Sequence, residues 1–177
     1  MLEPEEKQQL KRKMLVLKII WGFFTVALVI YVIICHLIGD ELADIGYSNT
    51  TLLIIKIVLA VAAFSALVNA YFWRKSVLTA WQKRPKSGFI RLMFTSKTLV
   101  PTSSSDAAVK YTTATRISIA FAESVGIYGL ILFIMSGEFV TLYAFIGVSA
   151  LALFYFRPKF EELEQLVINM KRLENSG

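Results

Sequence analysis

Four long apolar runs dominate the chain: Ile19–Ile38, Leu52–Trp73, Ile117–Met135 and Phe139–Phe156. Each approaches or meets the ~20 residues that an α-helix needs to cross a hydrocarbon core ~30 Å thick. The pattern predicts an all-α polytopic membrane protein, a four-helix transmembrane bundle of up-and-down connectivity. Its spans cover about residues 15–38, 52–73, 112–136 and 139–156, and the single membrane domain extends over 1–177. After the fourth run, Phe160, Leu163, Val167, Met170 and Leu173 recur at helical spacing opposite Glu161, Glu162, Glu164 and Lys171. That is an amphipathic helix over 158–174. It can dock on the membrane, on the connecting loop or on a partner, and its acidic start favours protein over anionic lipid.

Helix boundaries are written in the polar residues between the runs. Pro4-Glu5-Glu6 suits the first turn of a helix that continues unbroken into span one. Ser48-Asn49-Thr50-Thr51 reads as the cap of span two; Asn49-Thr50-Thr51 also matches a glycosylation acceptor, and the cap is the favoured reading. Lys83-Arg84-Pro85-Lys86-Ser87-Gly88 breaks the helix after span two, and Ser105-Asp106 opens helix three well before its apolar run. The first apolar run has no small-residue cleavage site and reads as an anchor that stays.

Charge orients the spans. The net charge is +6, and its distribution argues against nucleic acid. Basic residues cluster before span one (Lys7, Lys11, Arg12, Lys13, Lys18), along the loop 74–111 and after span four (Arg157, Lys159, Lys171, Arg172). The connection 39–51 has no basic residue and carries Asp40, Glu41 and Asp44. This positive-inside pattern places both termini and the loop 74–111 in the cytoplasm. Within the loop, Phe89–Phe94 mixes apolar residues with cations, a composition suited to anionic lipid or to packing beneath the bundle. The expected location is a multi-pass position in a membrane, taken as a bacterial inner membrane.

Glu123 changes the picture, because it is the one charged residue within its apolar run. An ionised carboxylate in hydrocarbon costs about 2.5–3.5 kcal/mol on insertion scales, so the group must be neutral, paired or functional. Depth counted at 1.5 Å per residue puts Glu123 roughly 9 Å above the inner boundary, with Thr25, Ser65, Asn69 and Ser149 at similar heights. Together with Ser124 these residues form a candidate ion-binding or buried polar layer. Alternatively, each hydroxyl bonds back to its own helix. Lys56 lies near the outer boundary, some 15 Å of depth from Glu123, so Asp40, Glu41 and Asp44 are its expected partners. Ala122, Gly126 and Gly129 on span three, and Ala63, Ala66 and Ala70 on span two, are small faces suited to close helix approach.

The stretch Ala122-Glu123-Ser-Val-Gly126-Ile-Tyr128-Gly129-Leu-Ile resembles the carboxylate-bearing helix of the membrane ring subunit, subunit c, of rotary ATP synthases and ATPases. The resemblance covers ten to fifteen residues. It implies that Glu123 is a protonatable ion-binding group with Tyr128 and Gly129 as neighbours. The glycine-rich packing helix of that family is absent here.

The sequence holds no nucleophile–base pair, metal-ligand cluster or phosphate-binding glycine loop. The expectation is a non-enzyme without cofactor or metal: a membrane subunit or accessory protein. Its partners are the lipid bilayer, other membrane subunits or further copies of itself, and anionic lipid at the basic loop. The alternative is proton or small-cation translocation through Glu123.

Overall fold

The computed structural model describes residues 4–42, 48–79 and 104–174. Five α-helices account for them: α1 Pro4–Leu42, α2 Asn49–Thr79, α3 Ser104–Ser136, α4 Phe139–Tyr155 and α5 Phe160–Glu174. Three of these are long and apolar enough to cross a membrane, or up to four if α4 and α5, bent by 42°, form one span. Most of the basic loop, including Phe89–Phe94, and Asp44 lie outside the described residues, as do the side chains of Asp40 and Glu41.

Local chemistry sets the breaks. Glu5 and Glu6 occupy the first turn of α1, where the helix dipole favours anions. Ser48 precedes α2, and its carbonyl accepts the first bond, from the Leu52 amide at 3.1 Å. At the end of α3, Gly137 takes φ +67°, a left-handed conformation that closes a helix at low cost for glycine. Its amide donates to the Phe133 carbonyl at 2.7 Å. Pro158 prevents α4 from continuing into α5.

Helix α3 packs against all four other helices. Half of its most apolar window is buried, against 11% for α1 and for α2. Cross-helix contacts fix the directions. Near one end, Gly39 lies beside Phe133 and Phe139, and Lys56 pairs with Glu138. Near the other, Arg74 pairs with Glu162 and Lys7 with Glu164. Helices α1 and α3 therefore run one way and α2 and α4 the other, and among the described residues Lys7, Arg74, Lys110 and Lys159 gather at one end.

At that end α5 lays its apolar face, Leu163, Leu166, Val167 and Met170, onto Leu10, Met14 and Leu17 of α1 and Ala107, Ala108 and Tyr111 of α3. Burying each large aliphatic side chain favours this docking by about 1.5–3 kcal/mol. Lys171 with Glu6 and Lys7 with Glu164 flank the seam. The amphipathic helix thus has its covering surface within the chain itself.

Elsewhere the outer surface is apolar. Phe23 and Leu37 on α1, Phe64 and Val61 on α2, and Val140 and Leu151 on α4 are all more than 60% exposed. Patches of this extent exceed what monomeric soluble proteins present to water.

Candidate functional site: the polar contacts inside the helix bundle

Glu123 is buried, 8% exposed, in α3. Its Oε1 accepts a hydrogen bond from the Tyr31 hydroxyl of α1. Tyr31 stands six residues, roughly 9 Å, beyond Thr25 along α1. Helical side chains lean towards their N-terminus, and the length of a phenol spans much of that gap. Counting backbone depth alone misses such a partner.

Of the polar residues expected around Glu123, one joins its immediate surroundings. Ser149 is fully buried, and its Oγ donates to the Ala122 carbonyl at 2.7 Å, tying α4 to α3 beside the carboxyl. Three others bond within their own helices: Thr25 to the Trp21 carbonyl at 3.0 Å, Ser65 to Ala62 at 2.9 Å and Ser124 to Phe121 at 2.8 Å. Asn69 donates to the Ser65 carbonyl at 2.7 Å. Ser65 and Asn69 are exposed on α2 and face away from α3, while Ala63, Ala66 and Ala70 are buried. The expectation that α2 turns its polar face inward is corrected: the small alanine face allows closer approach and takes the inner position.

Two further contacts stitch the bundle near this level. The Trp21 indole donates to the Leu153 carbonyl at 2.8 Å, and Ser118 donates to the Ala70 carbonyl at 3.3 Å. Gly126 and Gly129 bring the helices close. A Cβ at Gly126 would meet Leu28 Cδ2 at 2.5 Å, and one at Gly129 would meet Phe145 Cβ at 2.6 Å.

Lys56 has a described partner outside the 39–51 connection. Its ammonium lies 2.5 Å from Glu138, while the side chains of the expected partners Asp40, Glu41 and Asp44 lie outside the described residues. The physical reason is that α2 and α4 run in the same direction, so their starts meet. The Lys56 hydrogen bond, followed by one from the Thr141 hydroxyl, holds the Glu138 carboxyl below the usual carboxylate range. A lowered folded pKa contributes stability above the unfolded value, about 4.3, and loses it as pH falls through the folded value. Glu138→Gln is therefore expected to flatten the acid limb of a melting-temperature profile below about pH 4.3. An unchanged acid limb would show that the pair is not formed. The effect is small, because the group is exposed.

Arg74 is a further buried polar residue, unmarked by its immediate sequence context. It ends the apolar run of α2 and resembles an ordinary interfacial cation, yet it is only 6% exposed. Its guanidinium donates to Glu162 at 2.7 Å and lies 3.5 Å from the Tyr155 and Arg157 carbonyls. The Tyr111 hydroxyl adjoins the same turn, donating to the Lys159 carbonyl at 3.1 Å. The signal was Arg74 followed by the Arg157-Pro158-Lys159 turn and a Glu-rich helix start. Among the described residues no cluster of three or more His, Cys, Asp or Glu could hold a metal. No protein family, curated protein or solved structure matches this chain.

Proposed function

We propose that this chain is a non-catalytic, multi-pass membrane subunit that joins a larger membrane assembly through the outward face of α2. Both termini and the basic end lie on the cytoplasmic side, in keeping with the positive-inside rule. The observation that carries the reading is the exposure of Ser65 and Asn69 on a face otherwise made of Val58, Val61 and Phe72. Asn69 uses one amide hydrogen on its own helix, and its Oδ1 has no partner among the described residues. Hydrocarbon supplies no donor, so a polar group there needs one from protein. A membrane-spanning helix of another chain, carrying a hydroxyl or amide N–H, meets that need.

Replacing Ser65 and Asn69 together with leucine tests this reading. Neither side chain bonds to another helix, so the fold should keep its stability while the native complex falls to the single chain on native electrophoresis. A complex of unchanged size would refute the interface. A native complex containing only this chain would identify the partner as a second copy.

The closed Tyr31–Glu123 contact supports a packing role for the carboxyl over translocation. Glu123→Gln, which keeps an acceptor for Tyr31, is expected to leave proton flux in reconstituted vesicles at the protein-free background. Tyr31→Phe should lower stability by about 0.6–1.7 kcal/mol, the range for interhelical hydrogen bonds in membranes. Flux above background that is lost in Glu123→Gln would restore the translocation reading.

A further inference from the structure

Where α2 leaves its apolar run, it meets the turn between α4 and α5, and a half-open cavity of about 280 Å³ lies between them. Tyr71, Arg74 and Lys75 line it from α2, Tyr155 from the end of α4, Lys159 from the turn and Glu162 from α5. Arg74 and Lys159 face one carboxylate, Glu162. Glu162 is shared, 2.7 Å from Arg74 and 3.5 Å from Lys159. The two carbonyl contacts of Arg74, at 3.5 Å, are long for hydrogen bonds. Positive charge therefore exceeds negative charge in a recess whose main cation is almost fully buried. Lys75 stands over the Tyr71 ring, 5.5 Å from its centroid. Tyr155, more than half exposed, continues the apolar surface beside the cavity.

We propose that this cavity holds the phosphate headgroup of an anionic phospholipid from the leaflet on the basic side of the protein. The inference rests on the membrane reading above. Three features point to lipid. The cavity lies at an aromatic belt, the level at which headgroups sit. Its volume is below that of a pocket for a whole drug-sized ligand and suits a headgroup. The neighbouring exposed aromatic surface gives the acyl chains a place to lie. Basic recesses at the cytoplasmic ends of membrane helices recognise such headgroups through guanidinium and ammonium donors.

The test measures binding of phosphatidylglycerol and phosphatidylcholine to the detergent-solubilised full chain, by native mass spectrometry and melting temperature. Inorganic phosphate serves as a separate arm. Phosphatidylglycerol should be retained and raise the melting temperature, while phosphatidylcholine and inorganic phosphate should do neither. Lys75→Gln with Lys159→Gln should weaken phosphatidylglycerol binding roughly thirtyfold, and arginine at both positions should preserve it. Lys159→Gln is also read singly, because it leaves the Arg74–Glu162 pair in place and keeps the test open if the double variant fails to fold. Equal affinity for the two lipids, or unchanged affinity in the glutamine variants, would overturn the proposal. A matching shift with inorganic phosphate would make this a free-anion site and overturn the lipid assignment. Carbonate extraction reports separately on the membrane reading: a chain released from membranes by carbonate refutes that reading, whereas a retained chain without lipid selectivity refutes only this site.

Discussion

Gly129→Ala should destabilise the protein by about 1–3 kcal/mol, measured as a lower unfolding midpoint in detergent. The added methyl would stand 2.6 Å from Phe145 Cβ and 3.4 Å from the Leu142 carbonyl. Neither atom is the loose end of a side chain. Phe145 Cβ is fixed to the α4 backbone, so α3 and α4 must part to admit the methyl. Parting them also strains the buried Ser149–Ala122 hydrogen bond. Gly126→Ala should cost less, because its nearest obstacle is Leu28 Cδ2, the end of a flexible side chain. Gly22→Ala and Gly147→Ala are the controls: nothing lies within 4 Å of either new methyl. Both should be neutral or mildly stabilising, since alanine is the better helix former by about 0.8–1 kcal/mol. Equal behaviour of all four variants would contradict the close α3–α4 approach.

The second large effect is expected at Arg74. Removing one member of a buried ion pair costs about 3–5 kcal/mol when the other is left without compensation. Glu162 keeps 28% side-chain exposure and a second cation, Lys159, at 3.5 Å. The expected loss for Arg74→Met is therefore nearer to about 2 kcal/mol. Arg74→Lys should not restore it, because a single ammonium cannot reach Glu162 and two carbonyls in the guanidinium fork geometry. Arg74→Met combined with Glu162→Leu should recover part of the loss, as replaced buried pairs often do. Additive losses in that double variant would show that the two residues act independently.

Much of the fold is legible from residue patterns. The apolar runs locate the long helices, Pro4-Glu5-Glu6 foretells an α1 that begins far ahead of its span, and Ser105-Asp106 places the start of α3 within two residues. Gly137 and Pro158 mark the two sharp breaks. Rotation about each helix axis is what hydropathy does not encode, because lipid-facing and core-facing positions are both apolar in a membrane. That is why Ser65 and Asn69 were expected beside Glu123 and stand on the opposite face of α2. It is also why Tyr31 went unnoticed: an aromatic in an apolar run carries no mark of the carboxyl it reaches. The partner of Lys56 depended on which helix starts meet, a property of the tertiary arrangement and not of any one segment.

The role given to the outward face of α2 can be read with a photoreactive residue placed at position 69 in native membranes, compared with one at Ile30 on the exposed face of α1. The account predicts a discrete protein adduct from position 69 and only lipid adducts from position 30. Lipid adducts alone from both positions would contradict it.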